Sequence, residues 1–224
     1  MLILATDTSG KQGSIALAHG LNNGKCDVIE VVPLAGGTFS AQLVPQIAAL
    51  LSKHCFQTQD IDAFAVASGP GSFTGLRVGL AAIKGVAEVL DKPIATVSLL
   101  EGVAMAAALE GRVLAVLDAG RGEVYAGLYK VSVERATMVE ERLIKLDPLV
   151  TSGGDFTLVT SDKDIADTVR AKGLPVVEVA VQRSDAIASL GWKKILAGET
   201  VSAEALEANY IRRSDAEILL KNRS

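Results

Sequence analysis

The sequence predicts an α/β protein built from two similar halves. A buried strand at residues 2–6 ends in Asp7 and a glycine turn, after which the chain forms a second strand. The same order of strand, aspartate, glycine turn and strand returns at residues 112–130, where Asp118 takes the place of Asp7. A strand, a glycine-rich loop and a helix lie between the two copies. This repetition favours a duplicated unit with a cleft between its halves.

The first half alternates short apolar runs with segments of helical spacing. Short apolar runs bounded by turn residues are typical of buried strands, and a two-strand hairpin makes the first pair antiparallel. The predicted strands are residues 2–6, 14–18, 28–32, 63–67 and 93–97, and the predicted helices are residues 40–52 and 76–90. Ser40 is a suitable N-cap, whereas Pro45 is expected to bend the first turns of its helix.

The second half has the same character with weaker signals. An Ala-rich helix from Ser98 to Leu109 leads into it. The predicted strands are residues 112–117, 123–130, 139–146 and 157–160, and the predicted helices are residues 162–172 and 184–197. The stretch from Asn209 to Arg223 is basic, and terminal residues of this kind often fray.

The glycine-rich loop at residues 68–79 is the most distinctive segment of the chain. Gly69, Gly71 and Gly75 allow a tight turn, and the helix that follows presents free N–H groups that could hold an anion. The dinucleotide-binding, P-loop and nucleophile-elbow patterns all fail, because Thr74 and Leu76 stand at required positions. The glycines alone leave two alternatives open, a loop that faces phosphate and a plain tight turn.

The helix after the loop is apolar on more than one side. Gly75, Gly79, Ala82, Val86 and Val89 form one stripe, and Leu76, Leu80, Ile83, Ala87 and Leu90 form a second. A surface helix normally has one apolar stripe. Either this helix is buried at the centre of the protein, or its second face meets another subunit, and we favour the second alternative.

Composition and charge exclude several classes of protein. The chain has 224 residues and a net charge of −4, which argues against extensive unaided binding to nucleic acid. Cys26 and Cys55 form no disulfide framework, as expected in a reducing cytoplasm. No apolar run is long enough to span a membrane, and no signal peptide is apparent. His19 and His54 lie far apart without acidic residues at ligand spacing, so no metal site is expected.

Asp7 and Asp118 allow two interpretations. Carboxylates at the ends of buried strands can hold Mg²⁺ through water. Alternatively, each side chain ties down its own glycine turn through hydrogen bonds to the backbone, and this second interpretation is favoured. Arg77 is assigned to an intersubunit salt bridge in preference to an anion contact or a solvated position.

Several segments together resemble the TsaB family, bacterial proteins of tRNA threonylcarbamoyladenosine (t6A) biosynthesis formerly called YeaZ. Residues 69–79 resemble the family signature, and residues 7–17 resemble its opening. Residues 118–125 resemble its second-half motif, and residues 210–213 its C-terminal motif. The chain departs from many relatives at Phe39-Ser40-Ala41, where they carry His-Ser-Glu.

The resemblance implies a two-lobed fold of the actin, Hsp70 and sugar-kinase type, in which a ribonuclease H-like unit with a mixed sheet is duplicated. The N-terminal lobe is expected at residues 1–98 and the C-terminal lobe at residues 99–224, with a C-terminal helix that could return to the first lobe. The resemblance also implies a cytoplasmic, non-catalytic paralogue of the transferase TsaD. With TsaD and the ATPase TsaE, it would support threonylcarbamoyl transfer to adenosine 37 of ANN-decoding tRNAs.

Pairing with TsaD, or with a second copy as a homodimer, is implied for the first two helices. The interface positions assigned on this basis are Leu43, Ile47, Leu50, Phe73, Leu76, Arg77, Gly79, Leu80, Ile83 and Ala87. No catalytic residue and no cofactor of the isolated chain is expected, although ATP or ADP with Mg²⁺ could lie near the complex interface. Transfer RNA would be contacted only within the complex. Arg212, Arg213, Lys221 and Arg223 could touch it there, but a solvated basic tail is the favoured interpretation of these residues.

The alternative is an autonomous ATP-binding phosphotransferase or ATPase of the same fold. Its nucleotide site would use the two strand-end carboxylates and the glycine-rich loop. The candidate residues are Asp7, Gly69, Gly71, Ser72, Thr74, Gly75 and Asp118. Gly153 and Gly154 are a weak candidate for the adenosine-binding glycines expected late in such a chain.

Overall fold

The computed structural model describes residues 1–152 and 154–212, and it divides into two compact units. Unit 1 contains Met1–Leu99 and Gln182–Asn209. Unit 2 contains Leu100–Val181 and the segment that begins at Tyr210. The first division falls one residue beyond the predicted boundary at residue 98, whereas residues 182–209 lie in the first unit and not in the second.

Ten strands and six α-helices form the described part of the chain. The strands are β1 (Leu2–Asp7), β2 (Gly13–Gly20), β3 (Cys26–Leu34), β4 (Ala63–Gly69), β5 (Ile94–Ser98), β6 (Gly111–Gly120), β7 (Glu123–Val131), β8 (Ala136–Lys145), β9 (Thr157–Thr160) and β10 (Val176–Glu178). The helices are α1 (Phe39–Lys53), α2 (Phe73–Leu90), α3 (Leu99–Ala106), α4 (Leu146–Ser152), α5 (Lys163–Ala171) and α6 (Ser184–Leu196).

The sheet of unit 1 is five-stranded and mixed, in the order β3-β2-β1-β4-β5. The first three strands are antiparallel neighbours, and β1, β4 and β5 are parallel. Alternate residues of each strand face opposite sides, so that Leu2 and Leu4 pack under α1 and α2 while Ile3 and Ala5 face α6. Both faces are therefore covered by helices, which explains why β1 and β4 are buried along their whole length.

The sheet of unit 2 repeats this topology, in the order β10-β9-β6-β7-β8. Again three strands are antiparallel neighbours, and β6, β9 and β10 are parallel. Even the irregularities correspond, because a register shift occurs between the second and third strands of both units, at Leu17/Ala18 and at Leu128/Tyr129. The duplicated ribonuclease H-like fold predicted from the sequence is confirmed.

Helix α6 packs on unit 1 because its surface fits that sheet closely. A Cβ atom on Gly191 would lie 2.4 Å from the Cβ atom of Ala65, and one on Gly20 would lie 2.5 Å from the ring of Trp192. The indole Nε1 of Trp192 donates a hydrogen bond of 3.0 Å to the carbonyl oxygen of Leu21. Beyond α6, Val201 pairs with Ile94 and covers the outer edge of β5.

None of the helices in the described ranges is both long enough and apolar enough to cross a lipid bilayer.

Candidate functional site

The glycine-rich loop connects the end of β4 to the start of α2. Ser72 is the N-cap of α2, and its hydroxyl accepts a hydrogen bond of 3.2 Å from the N–H of Gly75. The carbonyl oxygen of Ser72 accepts a second bond, of 2.8 Å, from the N–H of Leu76. The helix therefore begins with an ordinary serine cap.

The loop packs on the residues that follow β1. The N–H of Ser72 donates a hydrogen bond of 2.6 Å to the carbonyl oxygen of Ser9. The hydroxyl of Thr8 donates one of 2.7 Å to the carbonyl oxygen of Gly75. Both Thr8 and Ser9 are buried, so these bonds lie in the interior of unit 1.

The spacing of the glycines in this motif follows from that packing. A Cβ atom added to Gly75 would lie 2.1 Å from the carbonyl oxygen of Thr8, and one on Gly79 would lie 2.2 Å from the Thr8 hydroxyl oxygen. A Cβ atom on Gly71 would lie 2.5 Å from the carbonyl oxygen of Ser9. These three glycines allow α2 to approach the end of β1 more closely than any other residue would.

The packing of the loop on Thr8 and Ser9 limits its capacity to bind an anion. Anion binding at a helix start uses the free N–H groups of the loop and first turn. Here the N–H of Ser72 is bonded to Ser9, and the N–H of Gly75 is bonded to the cap hydroxyl. Close packing alone accounts for the glycines, and the assignment of a nucleotide to Gly69, Gly71, Ser72, Thr74 and Gly75 stays a prediction.

Asp7 stabilises the turn after β1. Its Oδ1 atom accepts hydrogen bonds from the N–H and the hydroxyl of Ser9, at 2.9 and 2.5 Å. Burial raises the pKa of the Asp7 carboxyl, while the two bonds from Ser9 lower it by a smaller amount. Asp7 is thus a buried carboxyl group whose observed contacts are within its own turn.

Asp118 makes the corresponding bond in unit 2, where its Oδ1 atom accepts the N–H of Gly120 at 2.8 Å. Its own N–H donates to Oδ2 of Asp162 at 2.7 Å. Burial, together with the nearby charges of Asp118 and Asp164, raises the pKa of Asp162, although the bond from the Asp118 N–H opposes this shift. Asp162 was not among the site residues predicted from the sequence, although its position just after strand β9 was a usable signal.

In the described ranges, no three His, Cys, Asp or Glu side chains are grouped so as to hold a metal ion. His54 ends α1, and its Nε2 atom lies 2.7 Å from Oε2 of Glu30. Lys53 donates a bond of 2.7 Å to the other oxygen of that carboxylate. The bonds from Lys53 and His54 lower the pKa of Glu30. These contacts join the end of α1 to strand β3.

The structure shows where the interface residues assigned from the sequence lie within the chain. Most of them face the sheet of their own unit and are buried in its core, where they pack with residues such as Phe64 and Val66. The buried positions are Leu43, Ile47, Leu50, Leu76, Gly79, Leu80, Ile83 and Ala87. A partner that binds these helices would therefore contact the sides of α1 and α2 that face away from the sheet. Whether the helices pair with a partner stays a prediction.

The remaining two assigned positions lie at the start of α2. Phe73 is half-buried and Arg77 is exposed. The guanidinium carbon of Arg77 lies 3.7 Å from the centre of the Phe73 ring, a cation–π contact within one turn of helix. A cation–π contact was not among the three alternatives predicted for Arg77 from the sequence.

An apolar surface remains on the outer sides of α1 and α2, which we call the α1–α2 outer face. It consists of Ala41, Val44, Pro45, Ala48 and Ala49 of α1 with Val78, Ala81, Ala82, Gly85, Val86 and Val89 of α2. None of these residues is charged. Val44 is 54% exposed and Val89 is 85% exposed, values unusual for valines in adjacent helices.

The candidates for contact with tRNA divide between described and undescribed residues. Arg212 forms a salt bridge with Glu123, so its guanidinium is already engaged within unit 2. Arg213, Lys221 and Arg223 lie outside the described residues, and so does Gly153.

Two five-stranded mixed sheets of identical strand order, each with a strand–aspartate–turn motif, define a duplicated ribonuclease H-like protein of the actin, Hsp70 and sugar-kinase class. The family model "TsaD: tRNA N6-adenosine threonylcarbamoyltransferase" matches residues 31–156. The chain is 31% identical to tRNA threonylcarbamoyladenosine biosynthesis protein TsaB of Bacillus subtilis (strain 168), with 97% of this chain and 96% of the relative covered.

Two further comparisons agree with this. Identity to TsaB of Escherichia coli (strain K12) is 30%, with 96% of each chain covered. The solved structure "YeaZ from Pseudomonas aeruginosa" has a TM-score of 0.74 at 24% identity. The match covers 93% of this chain and 99% of that chain, and it shows a similar fold. The chain belongs to the TsaB family.

Proposed function

We propose that this chain is a non-catalytic subunit of t6A synthesis that activates a homologous threonylcarbamoyltransferase, TsaD, by binding to it. With the ATPase TsaE, the pair would support transfer of the threonylcarbamoyl group to adenosine 37 of ANN-decoding tRNAs in the cytoplasm. Family membership supports the pathway, since the relatives in Bacillus subtilis and Escherichia coli are named as t6A biosynthesis proteins.

The α1–α2 outer face carries the proposal that the chain acts through a partner. Two adjacent helices of a soluble protein normally cover their outer sides with charged residues. Here the charged residues lie only at the margin of the face on α2, and they are Arg77, Lys84 and Glu88. Lys84 donates a hydrogen bond to the carbonyl oxygen of Glu204. An apolar centre with a polar rim is the usual anatomy of a protein interface.

The same surface can be covered by TsaD or by a second copy of this chain. We therefore propose a heterodimer with TsaD and, in the absence of TsaD, a homodimer through the same face. Nucleotide and Mg²⁺ would enter the reaction through the partners and their interface with this chain. The alternative, an autonomous ATP-binding enzyme, has less support because packing and turn hydrogen bonds already account for Asp7, Gly71, Ser72, Gly75 and Asp118.

The test uses exposed positions, because Leu80→Glu or Ile83→Glu would place a charge in the core of unit 1. Val89→Glu and Val44→Glu place a charge on the most exposed valines of the α1–α2 outer face. An unpaired carboxylate buried there costs about 3 kcal/mol, or roughly 100-fold in the Kd for TsaD. Val133→Glu is the matched control, because Val133 is 77% exposed but lies in unit 2.

The measurements are the Kd for TsaD and the yield of t6A in a reaction reconstituted from TsaD, TsaE, tRNA and this chain. We expect both α1–α2 variants to lose pairing and t6A formation, while their melting temperatures and those of the control stay near that of the unaltered chain. Full activity of Val89→Glu would rule out this surface. Full t6A formation without the chain would rule out the proposed function.

A further inference from the structure

Two cations oppose each other at one end of the unit 2 sheet. Arg112 of β6 pairs in register with Lys130 of β7, and Lys130 pairs with Thr137 of β8. All three residues are exposed. Because directly opposite residues project to the same side of a sheet, the guanidinium, the ammonium and the hydroxyl form one row across three strands.

The two cations have no acidic partner within the described part of the chain. Four other cations of unit 2 do have one, since Arg142 binds Glu140, Arg170 binds Glu178, Lys172 binds Asp147 and Arg212 binds Glu123. Neither Arg112 nor Lys130 takes part in any ion pair or side-chain hydrogen bond among the described residues.

Like charges placed directly opposite each other destabilise a pair of strands. The arrangement is also unexpected in a chain whose net charge is −4. Glu110, the carboxylate nearest to Arg112 in sequence, forms no ion pair with either cation within the described residues. An anion bound between the two side chains would turn their repulsion into an attraction shared by both.

The chemistry of the row fits phosphate. A guanidinium donates two parallel hydrogen bonds to phosphate oxygens, an ammonium adds a mobile point charge, and a hydroxyl adds a neutral donor. The three residues are exposed in a row across neighbouring strands, an arrangement that an extended backbone can follow, whereas small molecules are usually bound in concave sites.

We propose that Arg112 and Lys130, with Thr137 beside them, contact the phosphate backbone of tRNA when the chain is part of the t6A complex. The proposal rests on the proposed function for the identity of the nucleic acid. Arg212, one of the candidates from the sequence, is already engaged by Glu123. Contacts of this kind hold RNA without reading its sequence.

The test compares the double variant Arg112→Gln/Lys130→Gln with the control Lys11→Gln/Lys25→Gln, which removes the same charge from exposed positions of unit 1. The affinity for purified tRNA is measured between 50 and 200 mM salt, with the reconstituted complex and with the chain alone. We expect about fivefold weaker binding for each cation lost, and a salt dependence shallower by about one unit of slope per cation. The control should bind like the unaltered chain.

The melting temperature distinguishes a binding role from a structural one. Because the two cations repel each other, the double variant should melt at the same temperature or about 1 °C higher, even though it binds tRNA less well. A lower melting temperature together with unchanged tRNA affinity would show a structural role and overturn the proposal.

The remaining outcomes separate this inference from the proposed function. Equal tRNA affinity of the double variant and the control, in the complex and alone, overturns the contact but leaves t6A function intact. If the chain fails to join TsaD, the proposed function falls; weaker tRNA binding by the double variant of the chain alone would then support an RNA contact of these two cations outside that complex. Competition by poly-glutamate as effective as competition by tRNA would overturn the assignment to RNA.

Discussion

The turns after β1 and β6 contain the same motif but differ in how deeply its aspartate is buried. Both follow the first strand of a five-stranded sheet, and in both an aspartate Oδ1 atom accepts the N–H two residues later. Asp7 is buried, however, whereas Asp118 is exposed. The difference arises because α2 packs on Thr8 and Ser9 through three glycines, whereas the corresponding connection of unit 2, from β9 to α5, contains no glycine.

The comparison shows that the glycine motif belongs to packing in unit 1. Considered alone, a loop of this composition leaves two alternatives open, a loop that faces phosphate and a plain tight turn. In the structure it is the surface that meets the Asp7 turn, so the aspartate motif and the glycine motif form a single structural element. Its position at the start of α2 also fixes which side of that helix faces the sheet and which side forms the α1–α2 outer face.

The largest expected effect is that of Gly75→Ala. Its Cβ atom would lie 2.1 Å from a backbone oxygen of Thr8, which cannot move without breaking the turn. We expect a loss of about 3 kcal/mol in the free energy of unfolding, measured by urea titration with Trp192 fluorescence as the reporter of unit 1.

Gly85→Ala on the same helix is the control, because a Cβ atom there meets nothing within 4 Å. It should stabilise the protein by about 0.5–1 kcal/mol, the usual difference between glycine and alanine in a helix. Equal effects of the two substitutions would mean that close approach to Thr8 is not the reason for the glycine.

A smaller effect is expected from the two aspartates. Asp7→Ala leaves the buried N–H and hydroxyl of Ser9 without their acceptor, at a cost of about 1–3 kcal/mol. Asp118→Ala should cost less than about 1 kcal/mol, because water can replace an exposed carboxylate. Urea unfolding followed by circular dichroism measures both, and an equal cost would contradict the difference in burial.

The cost of Asp7→Ala should also depend on pH. Because the pKa of Asp7 is raised in the folded protein, the native state binds this proton more tightly than the unfolded state does. The stability that protonated Asp7 contributes is therefore present at low pH and lost as the pH rises from the ordinary value of 3.8 through the folded pKa. Asp7→Ala should cost more at pH 4 than at pH 7, and a cost that rises with pH would contradict the raised pKa.

The smallest expected signal is the heat of nucleotide binding. If the two aspartates and the loop serve packing and turns, titration of the purified chain with millimolar Mg-ATP should give no heat beyond dilution. Binding that is weakened by Asp7→Ala but not by Gly85→Ala would instead favour the autonomous enzyme.

Much of the fold could be predicted because local signals were strong. The strands around Asp7 and Asp118 were predicted from short apolar runs, and the helix predicted at residues 184–197 is observed at Ser184–Leu196. Strand β8 begins at Ala136 and not at residue 139, since its alternation of apolar and polar residues is weak at an exposed edge. Helix α2 begins at Phe73, three residues before its predicted start, because Ser72 is the cap.

The site was less predictable because it depends on contacts between distant segments. Two apolar stripes on α2 were visible in the sequence, but nothing local showed that the stripe with Leu80 and Ile83 faces the sheet. Arg112 and Lys130 likewise lie opposite each other only because of the register between β6 and β7, and that register was not predicted from the sequence.

By itself the sequence determined the fold class, the duplication and the family, because these depend on periodicity and on motifs within short segments. Only the tertiary structure decided that residues 182–209 return to unit 1, that the motif glycines pack on Thr8 and Ser9, and which faces of α1 and α2 stay exposed. The physical reason is that hydrophobic burial and steric fit are properties of pairs of surfaces. The sequence specifies the side chains of both surfaces, but only the folded chain determines which of those side chains are in contact.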